Sequence, residues 1–417
     1  MKNYRLLYIL ILSLWITLPR NAHSQVMGME LMDGQDKVQI NFDYIYGFIV
    51  VDLKLSGILP MKFILDTGAE HVILFKKEIS DVLGFQYEKR INLIGSDLEQ
   101  EVYAYITRNV PLKLEDTPTV TRDLIVLEED FLELESMVGE PIDGILGTRF
   151  FRGLVLDINY RKNRLTLYNS DTYEVPDKDY TELDLEIQNY KPYLPTKIIT
   201  DDGTRIDTKL LLDTGSALPF LLFLQTHPSL KLPETVIRGN LGRGLGGDLE
   251  GYLGKVRYLE MKQGVYFSNL ITNFQEIDSQ LNPEVYHQRN GLIGNPILSR
   301  FDIVIDIIKE KAYIKPRKNY NKSFEYDRSG LIIYAFGPTL DQYYVKDVIE
   351  NSPGEEAGIK RGDIIKKVGI LPANLLSLGT ITRRLQRKEG KKVRFTILRN
   401  GEKLRKSVVL RDLFSDN

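Results

Sequence analysis

The chain repeats a short phrase, and that repetition limits what it can fold into. Phe63-Ile64-Leu65-Asp66-Thr67-Gly68-Ala69 returns as Leu211-Leu212-Asp213-Thr214-Gly215-Ser216, and an apolar run follows each copy. Further along, Gly144-Ile145-Leu146-Gly147 is matched by Gly291-Leu292-Ile293-Gly294, at the same separation from the aspartate in both copies. The tails agree as well, Leu154-Val155-Leu156-Asp157 against Ile303-Val304-Ile305-Asp306. One Asp-Thr-Gly recurs by chance, whereas two with matched partner motifs at equal spacing indicate a duplicated structural unit. A carboxylate at the end of an apolar strand, followed by a hydroxyl and a glycine, adds little to a core. It is well placed to present an ionisable group at a tight turn.

The surrounding pattern is that of strands: short alternating or apolar runs broken by glycine, proline and aspartate. Ile91 to Gly95 and Glu101 to Ile106 predict a hairpin arching from the first unit, and Asp201-Asp202-Gly203 marks a hairpin tip in the second. The glycine-rich run Gly239 to Gly247 has no Gly-Lys-Ser/Thr after it and no strand-to-helix setting. It therefore predicts a hairpin tip or flap rather than a phosphate loop. Short helices are expected at Phe75 to Leu83 and Pro296 to Arg300. The expected divisions are a first unit over 37–170, a second over 186–316, a polar linker over 317–328 and a compositionally different C-terminal domain over 329–412. In that last domain an amphipathic helix is expected from about Leu378 to Arg387 and a final hairpin turning at Asn400-Gly401.

With 55 basic and 57 acidic residues the net charge is −2, which gives no general attraction to nucleic acid. The absence of cysteine removes disulfides, thiol nucleophiles and cysteine metal sites. The four histidines are scattered without metal-ligand spacing, so neither a metal nor a cofactor is expected. Lys2 and Arg5, the apolar stretch Leu6 to Leu18 and Ala22-His23-Ser24 have the form of a secretory signal peptide over residues 1–24. The stretch is shorter than the roughly 20 apolar residues a membrane span needs. The expectation is export to the periplasm or beyond the cell, with no integral span after cleavage.

Two carboxylates from duplicated units can meet across a pseudo-twofold axis. Like charges that close do not both ionise cheaply, so the pair shares one proton. The ionised member then takes a proton from water while the neutral one polarises a carbonyl, hydrolysing an amide without a metal or a covalent intermediate. Thr67 and Thr214 are placed to donate across the axis, and Gly68 and Gly215 to let backbone donors approach the carboxylates. A Ser216 hydroxyl donating to Asp213 would favour its ionised form and leave the shared proton on Asp66. Asp157 and Asp306 are expected to be structural acids at strand ends.

On these motifs, residues 40 to 316 resemble the retropepsin-like aspartic proteases in a duplicated, pepsin-like arrangement. The resemblance implies a mostly β, bilobal fold, a pair of double-ψ β-barrels, with Asp66 and Asp213 as the catalytic dyad and a polypeptide as substrate. Ala69 follows the first motif as in retroviral enzymes and Ser216 the second as in pepsin-like ones. No flap tyrosine can be assigned; Tyr103 and Tyr105 are candidates by position. Residues 329 to 412 resemble an α+β PDZ domain of the permuted bacterial type, through the run Ser352 to Ile365. That resemblance implies that Ser329, Gly330 and Leu331 form a loop whose amides bind the C-terminal carboxylate of a protein, although a plain packing module fits the same residues. The whole predicts a secreted aspartic endopeptidase whose PDZ domain recruits substrate or partner C-termini. The alternative is a catalytically inactive peptide-binding or scaffold protein of the cell envelope.

Overall fold

The structure is a computed structural model that describes residues 29–32, 35–94, 101–130, 132–175, 178–244, 247–277 and 289–414. The segment expected to be a signal peptide lies outside the described residues, as does part of the glycine-rich run. The chain is mostly β, as the alternating pattern predicts.

Each repeat forms an eight-stranded sheet that curls until a strand pairs twice and the sheet closes on itself. The first copy of the motif ends the strand Leu59–Asp66, and the second ends Arg205–Asp213. Each pairs in parallel with its own glycine motif, Phe63 to Asp66 opposite Gly144 to Gly147 and Leu210 to Asp213 opposite Gly291 to Gly294. The strands Val72–Leu74 and Phe220–Phe223 run antiparallel to the other edge of those motifs. This threading explains why the repeated spacing is held so strictly. A parallel partner fixes the register, and a slip of one residue would move every buried side chain to the wrong face. The copies agree down to a side-chain cap: Lys62 donates its N–H to Asp143 and Lys209 to Asn290, both at 2.8 Å.

Between the two barrels lies a six-stranded sheet built half from each, with Leu154–Asn159 and Phe301–Asp306 pairing at its centre. One apolar core runs through both halves, from Leu53, Leu65 and Val126 to Leu212, Phe267 and Ile293. Asp306 is buried and accepts from the Ser170 hydroxyl at 2.9 Å and from the Ile308 and Lys309 amides, a structural cap as its position suggested.

Hairpins occur where the sequence predicts them. Tyr87–Ile94 pairs with the strand beginning at Glu101. Ile237–Gly244 pairs with Gly247–Lys262, so the described part of the glycine-rich run lies at the end of a long hairpin. The expected short helices form at Lys77–Val82 and Asn295–Leu298.

The C-terminal domain has a sheet ordered Leu331–Phe336, Gln342–Val348, Ile364–Val368, Lys392–Arg399, Glu402–Val409, with helices Pro353–Glu356 and Leu378–Leu385. Ser352 and Ser377 cap the two helices through their hydroxyls. Buried Asp363 takes a two-point ion pair from Arg399, at 2.6 and 2.7 Å, which gives the Arg361-Gly362-Asp363 stretch a structural role.

Two features of this domain depart from the sequence expectation. The residues expected to be a free linker are packed down. The Arg300 guanidinium lies 3.5 Å from the Phe324 ring centre and donates to the Tyr320 carbonyl at 2.7 Å. These aromatics carry no period, so nothing local marked them as packed against the core. The domain is also docked. Tyr334, only 2% exposed, packs with Leu132, Leu134, Met137 and Val138 of the first barrel, and Ile332 and Tyr344 join the same cluster. Gly139, at φ +76, brings the backbone so close that an added Cβ would lie 3.1 Å from Leu378.

Candidate active site

The two Asp-Thr-Gly turns meet at the axis between the barrels, and their threonines lock them. Each Thr hydroxyl accepts the other threonine's N–H at 3.0 Å. The Thr67 hydroxyl then donates to the Leu212 carbonyl at 2.6 Å and the Thr214 hydroxyl to the Leu65 carbonyl at 2.8 Å. Both side chains are buried, so each hydroxyl satisfies a donor and an acceptor that water does not reach. Thr67→Ala should strand two of these groups and cost about 2–4 kcal/mol, whereas Thr67→Ser should stay near wild type. Thermal unfolding of the two variants measures the difference.

The glycines are steric requirements. A Cβ on Gly68 would lie 2.7 Å from the Asp213 carboxyl carbon, and one on Gly215 would overlap Asp66 outright. Each carboxylate thus sits directly against the opposite turn. The turns are supported alike from below: the Thr148 amide donates to the Ala69 carbonyl at 3.0 Å and the Asn295 amide to the Ser216 carbonyl at 2.9 Å. Asn295 also ties the halves together, donating to the Gly47 carbonyl at 2.7 Å and accepting from the Tyr160 hydroxyl.

The two carboxylates are not equivalent. Asp66 accepts two backbone N–H groups, from Gly68 at 2.7 Å and Ala69 at 3.0 Å, whereas Asp213 accepts one, from Gly215 at 2.9 Å. Burial raises the pKa of both. For Asp213 the adjacent Asp66 charge adds to burial and pushes it up to about 8. Hydrogen bonds that favour the ionised form concentrate on Asp66, so a proton shared by the pair would sit on Asp213. This reverses the sequence expectation. The Ser216 hydroxyl that was to favour an ionised Asp213 instead accepts the Leu218 amide at 3.2 Å.

Three residues that sequence reasoning passed over also face the dyad. Tyr193 and Lys191 come from one strand beside that of Asp213, and Arg289 enters from the other side. Lys191 and Arg289 both act electrostatically on Asp66 and Asp213, and the Arg289 guanidinium is 5.2 Å from the Phe223 ring centre. Burial lowers the pKa of both cations. Of the flap candidates, Tyr103 lies under Arg90, 4.0 Å away, and the Tyr105 hydroxyl donates to Glu128 at 3.0 Å.

In the C-terminal domain the three loop residues stand together ahead of the edge strand Leu331–Phe336. Their amides already have partners. Asp327 accepts the Ser329 N–H at 2.7 Å, the Gly330 N–H at 3.0 Å and the Ser329 hydroxyl at 2.6 Å, and the Leu331 N–H goes to the Ser329 hydroxyl at 3.2 Å. A carboxylate from the chain itself thus occupies the donors expected to hold the carboxylate of a bound peptide. Asp327 lay in the stretch taken for linker, and no local motif distinguishes it.

Comparison with known proteins agrees with these two regions. A family model described as aspartyl protease matches residues 51–150, within the first barrel. One described as PDZ domain matches residues 344–399. No curated protein matches the chain. Among solved structures it is similar to the photosystem II D1 C-terminal processing protease, at 22% identity over 21% of this chain and 23% of that one. The TM-score is 0.20, and a likeness that small bears on nothing further.

Proposed function

We propose that this chain, which carries an aspartyl protease-like domain and a PDZ domain, is an aspartic endopeptidase acting through Asp66 and Asp213. One observation supports the reading above the rest: two part-buried carboxylates from separate barrels face each other's turns, held by reciprocal threonine hydrogen bonds. In the reaction, ionised Asp66 takes a proton from a water molecule, whose oxygen attacks the peptide carbonyl. Asp213 gives its proton to the carbonyl oxygen as the tetrahedral species forms. Collapse of that species returns a proton to the leaving nitrogen and breaks the C–N bond.

The pH dependence follows from the shared proton. Activity should fall on the alkaline side as Asp213 loses its proton, near pH 8, and on the acid side as Asp66 gains one. Turnover of a mixed peptide library from acid to alkaline pH, with and without a hydroxyethylene transition-state analogue, tests the proposal. A bell-shaped profile blocked by the analogue is expected. Cleavage that is flat with pH and indifferent to the analogue would remove it, and binding without cleavage at any pH would favour a peptide-binding scaffold.

Export belongs to the same proposal and rests on the N-terminal pattern of residues 1–24. We also propose that the PDZ domain takes substrate or partner C-termini once Asp327 is displaced from the loop amides.

A further inference from the structure

We propose that Lys191 and Arg289 form a subsite for a carboxylate of the substrate next to the dyad, so that polypeptides with a carboxylate close to the cleaved bond are preferred. The position of that carboxylate relative to a cleaved bond rests on the endopeptidase reading; the anion site itself does not.

The placement comes from the strand order. Asp213 ends a strand flanked by Lys191–Ile199 on one side and Gly291–Gly294 on the other. Tyr193 pairs with Leu211, so Lys191 opens its strand near the Asp213 turn. Arg289 stands two residues before Gly291, which pairs with Leu210, so its backbone lies toward the start of the Asp213 strand. Its guanidinium sits 5.2 Å from the ring centre of Phe223, which clusters with Tyr193 and Leu211. The two cations thus come from either side of the Asp213 strand, Lys191 level with its end and Arg289 from its start. Both act electrostatically on the two carboxylates. Among the described residues neither side chain has an ion-pair or hydrogen-bond partner.

The dyad with its shared proton carries one negative charge, against two positive charges on Lys191 and Arg289. Glu70 also lies near Lys191, but it is paired with Arg149 at 3.0 Å. Among the described residues one positive charge is then left over at a part-buried position, where an uncompensated ion is costly.

The pseudo-twofold axis supplies an internal control. Thr67 and Thr214 are 147 residues apart. The same offset takes Arg289 back to Ile142, and strand pairing takes Tyr193 to Val50 and hence Lys191 to Phe48. Ile142 and Phe48 are both buried and apolar. At these two positions the first half is apolar. The cations are an addition on one side, as expected for selectivity and not for the hydrolytic machinery, which is shared by both halves.

A substrate carboxylate has two sources, an Asp or Glu side chain or a free C-terminus, and the test separates them. Four peptides of one sequence, with Glu or Gln beside the cleaved bond and a terminal acid or amide just beyond it, are given to the full chain. The same set is given to Arg289→Gln and to Lys191→Met. For the wild type, kcat/KM should favour the matching carboxylate by about 10- to 100-fold, and the ratio should shrink toward one in both variants. A Glu-over-Gln preference assigns a side chain, and an acid-over-amide preference assigns a terminus. Equal turnover of all four overturns the subsite and leaves the endopeptidase standing. Calorimetric binding of the same peptides to Asp66→Asn covers the other failure. Carboxylate-dependent affinity lost on adding Arg289→Gln, with no cleavage by the wild type, keeps the anion site and ends the endopeptidase reading. Carboxylate-independent affinity overturns the site.

Discussion

Asparagine at Asp66 or at Asp213 is expected to lower kcat by at least about 10³-fold, because either substitution removes one partner of the proton exchange. Asp66→Asn loses the base that activates water. Asp213→Asn loses the proton given to the carbonyl oxygen. Retention of activity to within about tenfold in either variant would end the dyad mechanism. The loss should occur in folded protein, and for Asp213 the sign of the stability change can be worked out. Its pKa in the folded chain, about 8, lies above the value near 4 of an unfolded aspartate. The native state then holds the proton more tightly than the unfolded one. Its contribution to stability is full below the unfolded pKa and is lost as pH rises through about 8. Asn cannot ionise, so Asp213→Asn should melt no lower than wild type at neutral pH and should lack that alkaline loss. Melting temperature against pH for the two proteins checks the point.

Asp327→Ala should have the second largest effect, in the C-terminal domain. Without the carboxylate, the amides of Ser329 and Gly330 lose their acceptor. Two unsatisfied donors cost about 2–4 kcal/mol. A peptide with a free C-terminal carboxylate supplies a replacement acceptor, whereas its amidated form does not. The variant should therefore melt lower than wild type alone and recover with the acid peptide. It should also bind that peptide at least about tenfold more tightly than wild type, whose loop is occupied by its own side chain. Equal recovery with acid and amide would show that the loop does not recognise a terminus. Equal affinity in variant and wild type would show that Asp327 does not compete for it.

The parts of the fold legible in the sequence were those that short-range spacing encodes. The parallel pairing of Asp66 with Gly147 and of Asp213 with Gly294 requires fixed register, and the equal intervals carried it. Hairpins followed from turn residues, and the short helices from brief runs of helical period. Lys191 and Arg289 were not legible because each is a lone cation in its own stretch. Only the sheet order puts the chain segments that carry them on either side of the Asp213 strand, and that order is a long-range fact. Ile332, Tyr334 and Tyr344 alternate as they would on any outer strand face, so their burial against Leu134 and Met137 had no local mark. Ser216 failed for another reason. Its neighbour in sequence is Asp213, but the turn directs its hydroxyl to the Leu218 amide.

The sheet that joins the barrels sets how the site responds to dilution. Leu154–Asn159 and Phe301–Asp306 are consecutive strands of one ladder, and both carboxylates belong to one polypeptide. A twofold site made from two separate subunits disappears below their dissociation constant, because mass action parts its halves. Here the second half is always present at the concentration of the first. Turnover per molecule should be the same in a trace sample as in a concentrated one, and each half can change its residues without imposing the same change on its counterpart.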